Sequence, residues 1–193
     1  DNMSISMSFS SSSIINMIIY LKKIEINMKI HETRQDTYTM TILSNKKDKM
    51  FSASLCEANK SELLFKHGCV ATYGGKIIAR GCNTHKCYSA NDDFIHEQCS
   101  CHAEINVLRQ ICHNYSDKKH KLNRIMKKTT LYISRCSNNG KSTNSAPCAK
   151  CLDMIQRLNV RKIIFNLDNE YFEYNSKDFY TTHRTFGDLY FYK

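Results

Sequence analysis

An α/β fold is predicted for this chain of 193 residues, and three observations predict it. The short runs Cys69-Val70-Ala71-Thr72-Tyr73 and Lys76-Ile77-Ile78-Ala79-Arg80 flank Gly74-Gly75, the signature of a tight hairpin. Residues 103–115 place Ile105, Leu108, Ile111, Cys112 and Tyr115 on one helical stripe, suited to packing on a sheet. Residues 130–134, 148–158 and 161–166 read as strand, helix and strand. That order calls for parallel pairing through a right-handed crossover.

Taken in order, the chain opens on residues 1–13, which run from Asp1-Asn2-Met3 into Ser10-Ser11-Ser12-Ser13. This stretch has the look of a processed end and is left out of fold reasoning. Residues 14–21 are apolar but broken by Asn16. They fall short of the roughly 20 residues a membrane-spanning helix needs, so no membrane span is expected. Ile24, Ile26, Met28 and Ile30 alternate with Glu25, Asn27 and Lys29, a period of two that predicts an added strand. Residues 37–43 are a second candidate. The charged run 45–49 reads as a linker, which sets an N-terminal extension, 1–49, partly disordered or an added strand, apart from a main domain, 50–193.

Within the main domain, Leu55, Ala58, Leu63 and Phe65 suggest a helix over 52–66. After the hairpin, Gly81-Cys82-Asn83 ends the second strand. Residues 84–101 form an irregular loop bearing His85, Cys87, His96, Cys99 and Cys101. Residues 116–128 carry Lys118, Lys119, Lys121, Arg124, Lys127 and Lys128, which fit a solvated face or a track for a phosphate backbone. Residues 137–145, rich in Ser, Asn and Gly, are a loop. The aromatic tail 171–193 lacks a clear period, and its rings read as packing groups before base-stacking ones.

Composition narrows the partners. A hydrophobic share of 41% is that of a globular domain, and one domain with a real core fits the length. The net charge of +10 suits phosphate-bearing partners, nucleotides or nucleic acid, or simply keeps the protein soluble. Ten cysteines would make a disulfide framework in a small secreted chain. Here the best-spaced pair has metal-ligand spacing, so a reducing compartment, the cytoplasm, is expected.

That pair is Cys148 and Cys151 in Ser145-Ala146-Pro147-Cys148-Ala149-Lys150-Cys151. Three residues apart at a helix start, the two thiols share a face and can grip one metal. Pro147, the only proline, stands where a helix begins and a missing N–H costs nothing. The positive helix end favours thiolates. Upstream, Cys101-His102-Ala103-Glu104 offers His102 as a third ligand. Three protein ligands and an open position describe a catalytic zinc site, and Glu104 is then free to carry protons. A structural zinc knuckle that draws a fourth ligand from the other Cys and His residues is the competing reading.

Joined, the two segments read H-x-E … P-C-x-x-C, the signature of zinc-dependent nucleobase deaminases. The hairpin, Gly81-Cys82-Asn83, Cys101-His102-Ala103-Glu104-Ile105-Asn106, Pro147-Cys148-Ala149-Lys150-Cys151 and Ile163-Ile164-Phe165 follow the order of the cytidine deaminase-like superfamily. The chain resembles that family over roughly residues 55–168 and is closest in motif to deoxycytidylate deaminases. The resemblance implies a three-layer α/β/α sandwich on a mixed, about five-stranded sheet, and more often an oligomer of identical chains than a monomer. It implies zinc held by His102, Cys148 and Cys151, with Glu104 as proton shuttle in hydrolytic deamination of a cytosine nucleotide or nucleoside. It matches Asn83 to a substrate-contacting asparagine, although Asn83 could equally cap its strand. Backbone N–H groups near Ala103 and Cys148 are candidates to support developing charge. Three departures stand out: the long interval from Glu104 to Pro147, the N-terminal extension, and a Cys- and His-rich loop. In that loop His96, Cys99, Cys101, Cys87 and Cys82 could build a second, structural zinc site or remain buried thiols. Editing of tRNA adenosine or polynucleotide cytosine, and a non-catalytic zinc module, are the alternatives. Glu104, which a structural site does not need, argues against the last.

Overall fold

The computed structural model describes residues 44–85, 100–140, 142–167 and 170–185, all in a compact unit spanning Met40–Lys193. The readings placed on residues 1–43, including the added strand, lie outside the described residues. So do Cys87, His96 and Cys99 of the loop and the last eight residues of the tail.

Helix α1 (Asn45–Ala58) leads into strand β1 (Lys66–Tyr73), and β2 (Lys76–Cys82) returns beside it. Helices α2 (Ala103–Asn114) and α3 (Lys119–Met126) follow, then β3 (Thr130–Cys136) and the two-residue β4 (Ser142–Thr143). Helix α4 (Ala149–Arg157), β5 (Lys162–Leu167) and β6 (Glu170–Asn175) complete the described fold. The strands form one mixed sheet in the order β2-β1-β3-β5-β6, with β4 on the end of β3. The β3–β5 pair is parallel, as the strand–helix–strand order predicts, and the other pairs are antiparallel. Gly74 and Gly75 both take positive φ, +56° and +75°. Two such residues in a two-residue turn are what the right-handed twist of a hairpin demands.

The central strands are buried on both faces, and alternate side chains feed two separate cores. Val70 of β1, Tyr132 of β3 and Ile164 of β5 pack with Phe51 of α1. Their neighbours Cys69 and Ala71, Leu131 and Ile133, and Ile163 and Phe165 point the other way. There they meet Ile105, Leu108 and Ile111 of α2, Ile125 and Met126 of α3, and Leu152 and Ile155 of α4. A period of two along the strands therefore makes three layers, helix, sheet and helices. Gly68 sets the spacing on the α1 side, because a Cβ there would lie 2.1 Å from the Ser54 carbonyl oxygen and 2.3 Å from the Ala58 nitrogen.

Four sequence readings change. Residues 45–49 are the first turns of α1 and not a linker: Lys47 pairs with Glu173 of β6, which also holds Lys162 at 2.6 Å. The helix expected over 52–66 is displaced towards the N-terminus, because Leu64 and Phe65 are exposed and the strand begins at Lys66. The start of the aromatic tail is an edge strand, β6, whose Phe172 and Tyr174 stack on Phe165 at 6.1 Å and 5.8 Å. The basic run, read without secondary structure, folds as α3, with its lysines exposed and Ile125 and Met126 buried. None of the eight described cysteines is in a disulfide. No helix among the described residues is long and apolar enough to cross a membrane.

Candidate metal centre

Two helix starts converge on one point. His102 is the N-cap residue of α2 and Cys148 that of α4, and both have extended backbone. A residue in that conformation turns its side chain across the open end of the helix it precedes. The two approaches are anchored independently. Thr84 and Cys101 exchange both backbone hydrogen bonds, 3.0 Å and 2.9 Å, and so tie the residue before His102 to the end of β2. On the other side the buried Ser145 hydroxyl donates to the Ile133 carbonyl at 2.8 Å and lies 2.8 Å from Asn166 Oδ1. The Asn166 N–H returns a bond to that hydroxyl at 3.0 Å. Ser145 thereby pins the loop that delivers Pro147 and Cys148 to the ends of β3 and β5.

The result is a compact donor set. The ligand atoms of His102, Cys148 and Cys151 all lie within 4.8 Å of one another. His102 Nδ1 is 3.2 Å from Cys151 Sγ and 3.5 Å from Cys148 Sγ. Tetrahedral zinc with bonds of about 2.0–2.3 Å needs neighbouring ligand atoms about 3.5–3.8 Å apart. Nitrogen with two sulfurs is a donor set zinc prefers, and these residues fit it. Among the described residues this is the one cluster of three or more such side chains. The hydrogen bond from Cys151 pushes the Cys148 thiol well below the ordinary thiol range, with burial opposing and His102 helping. The same bond, with burial, holds Cys151 well above the ordinary thiol range. A divalent cation bound by these residues would take the place of the thiol protons.

Glu104 stands in the first turn of α2, 4% exposed. Burial pushes its carboxyl above the ordinary carboxylate range, and His102 offsets part of the rise. A carboxyl so placed is suited to give and take protons nearer neutral pH. Ala103, fully buried, supplies the first N–H of α2, which has no partner within the helix. The corresponding N–H of α4, on Ala149, is taken by the His183 carbonyl at 2.8 Å. Asn83 is spent on the backbone: Oδ1 accepts from the His67 N–H at 2.8 Å and Nδ2 donates to the Phe65 carbonyl at 2.7 Å. Asn106, from the same motif, donates to the Cys82 carbonyl at 3.0 Å and fastens α2 to β2. Of the described residues proposed for a second zinc, Cys101 receives Arg109 Nη1 at 3.1 Å.

The family model for the cytidine and deoxycytidylate deaminase zinc-binding region matches residues 44–167, more than half of the chain. The chain belongs to this family. Solved structures of family members are similar at low identity. A cytidine deaminase from Burkholderia pseudomallei is 15% identical, with a TM-score of 0.47 over 70% of this chain and 95% of that one. A dCMP deaminase from the cyanophage S-TIM5 is 18% identical, with a TM-score of 0.43 over 63% and 82%. A cytidine deaminase from Mycobacterium leprae is 17% identical, with a TM-score of 0.39 over 68% and 94%. No curated protein matches the chain.

Within this cytidine and deoxycytidylate deaminase family member, the structure also brings forward residues that sequence reading passed over. His67 and Arg135 stand opposite each other on β1 and β3. Burial, then the charges of Arg135, His102 and His183, lower the His67 imidazole to about 3, so it is neutral at physiological pH. The period-two pattern continued two residues upstream of Cys69 would have reached His67. Nothing in the sequence could have placed Arg135 beside it.

Proposed function

We propose that the protein catalyses zinc-dependent hydrolytic deamination of a cytosine nucleotide or nucleoside, with release of ammonia. The observation that carries this reading is a His–Cys–Cys donor set within 4.8 Å beside a buried carboxyl two residues along the chain. A purely structural site would use a fourth protein ligand and would have no need of Glu104.

His102, Cys148 and Cys151 would hold the metal, and bound zinc supplies an activated water to attack the amine-bearing carbon of the base. Glu104 then carries the protons. It accepts one as the water attacks, delivers it to the ring nitrogen, and assists the departing amine as ammonia. Its raised proton affinity suits it to both directions of transfer. The Ala103 N–H, at the positive end of α2, is placed to support negative charge that develops beside the ligands. The burial of Glu104, Cys148 and Cys151 keeps bulk water from competing for these protons. The test is ammonia release by zinc-loaded protein from a panel of cytosine, adenine and guanine compounds, spanning bases, nucleosides, monophosphates and short RNA. Turnover of a cytosine compound supports the reading. Stoichiometric zinc with no turnover across the panel removes it and leaves the structural module.

A further inference from the structure

Basic side chains gather at the end of the sheet away from the metal ligands. The approach to Cys148 is held towards the C-terminal ends of β3 and β5, where Ser145 bonds to Ile133 and Asn166. The N-terminal ends of these strands are tied together by backbone bonds. The carbonyl of Thr129, the residue before β3, accepts the N–H groups of Arg161 and Lys162 at 3.1 Å and 3.2 Å. The Arg161 carbonyl accepts the N–H of Ser176, the residue after β6, at 3.0 Å. Three turns thereby meet, and each carries cations: Lys127 and Lys128 precede Thr129, Arg161 precedes β5, and Lys177 follows Ser176. Lys121 and Arg124 continue the patch along α3, and all six side chains are exposed. Helix α4 runs from Cys148 towards this end over nine residues, about 14 Å.

The charge of this patch is unbalanced. Residues 118–128 contain no acidic residue. Among the described residues none of the six cations pairs with a carboxylate. Lys121 rests over the Tyr115 ring, 5.2 Å from the centroid, a contact that leaves its charge in place. The carboxylates on flanking segments are engaged locally. Asp117 accepts from the Ser116 hydroxyl at 3.4 Å, Asp153 pairs with Arg157 at 3.8 Å, and Asp178 accepts from Asn175 Nδ2 at 2.9 Å. The arrangement also works against the helix that carries it. Lys118 and Lys119 stand at the N-terminal end of α3, where the helix dipole disfavours cations, and Lys121 and Arg124 are like charges one turn apart. An anionic partner offsets both effects. A phosphate backbone, with closely and regularly spaced charges, complements such a patch. A membrane surface does not, because an interfacial helix sinks apolar side chains, and Leu122, Ile125 and Met126 of α3 are turned into the core.

We propose that this patch docks a nucleic acid through its phosphate backbone, without regard to base sequence, at a surface separate from the metal centre. The bound strand is a partner and not the substrate, so the docking surface stands whether or not the deaminase reading does. The experiment is fluorescence anisotropy of labelled single strands of about 20 nucleotides, RNA and DNA of one mixed sequence, titrated with the full-length, zinc-loaded protein. Six backbone contacts predict a slope of log K against log salt of about −4, a loss of about 300-fold in affinity between about 50 and 200 mM salt. The triple variant Lys127→Gln, Lys128→Gln, Arg161→Gln removes three contacts and flattens the slope by about 2. The double variant Lys121→Gln, Arg124→Gln gives an independent flattening of about 1.4. A control, Lys46→Gln, Lys49→Gln, Lys76→Gln, removes the same charge as the triple variant from exposed lysines of α1 and the hairpin and keeps the slope. Zinc content and melting temperature check that each variant folds. Binding of either strand with this dependence supports the proposal. No binding of RNA or DNA at about 50 mM salt, a slope unchanged in both patch variants, or an equal flattening in the control overturns it. Binding confined to vesicles of phosphatidylcholine and phosphatidylserine overturns it as well.

Discussion

Glu104→Gln is the substitution that separates proton transfer from metal binding. The side chain is 4% exposed at the first turn of α2, and glutamine fills the same volume, so packing is kept. Glutamine cannot accept a proton. A positioned general acid–base group contributes about 10²–10⁴ in rate, and here one carboxyl serves several transfers. The expected loss in kcat therefore reaches the upper end of that range, with zinc content unchanged, because His102, Cys148 and Cys151 remain. Stability should shift in a specific direction in protein stripped of metal. Burial raises the carboxyl's proton affinity in the folded state, so folded protein holds the proton to higher pH than unfolded protein. Between the ordinary carboxylate pKa and the raised one, the unfolded state binds fewer protons, and wild-type stability falls as pH rises. Glutamine has no such transition. Urea midpoints of the metal-free proteins should show the variant gaining on wild type as pH rises through that window. The assay is ammonia release, zinc stoichiometry and the two midpoint series. Near-normal turnover in Glu104→Gln refutes the proton-carrying role, and a stability difference independent of pH refutes the burial argument.

His102→Ala is expected to lose both zinc and activity, in contrast to Glu104→Gln, as measured by metal analysis after gentle purification; full retention of zinc would remove His102 from the ligand set. Ser145→Ala leaves the Asn166 N–H and side chain without the central hydroxyl and should cost about 1–3 kcal/mol in urea unfolding, with weaker zinc retention because the loop to Cys148 is released. Gly68→Ala forces a Cβ to within 2.1 Å of the Ser54 carbonyl, so α1 must move off the sheet, at a cost of about 1–3 kcal/mol or more; an unchanged unfolding midpoint would contradict the close approach. Asn83→Ala distinguishes its two roles: loss of the bonds to Phe65 and His67 should lower the melting temperature, whereas a substrate contact would raise KM with stability kept.

The hairpin, α2, α4 and the parallel strands β3 and β5 were legible because each has a local cause. Gly74-Gly75 permits the turn, and the apolar stripes repeat at helical or strand period within a few residues. His102, Cys148 and Cys151 stood out for a different reason: a metal donor set requires particular side chains at particular spacings, and the structure brings these three within 4.8 Å of one another. Helix α1 was misplaced because its burial comes from residues far along the chain. Lys47 finds Glu173, and Phe51 finds Tyr171, 4.7 Å away between ring centroids. Strand β6 has no marked alternation, and its pairing with β5 decides its conformation. The sequence by itself determined which residues can bind a metal, and where the hairpin, α2, α4, β3 and β5 lie. Only the tertiary structure decided that Asn83 closes a strand ladder, that Ser145 locks a loop, and that Arg135 stands in one row with His67 and Thr143. Strand register alone brings such distant residues together, and a one-residue shift would send each to the opposite face.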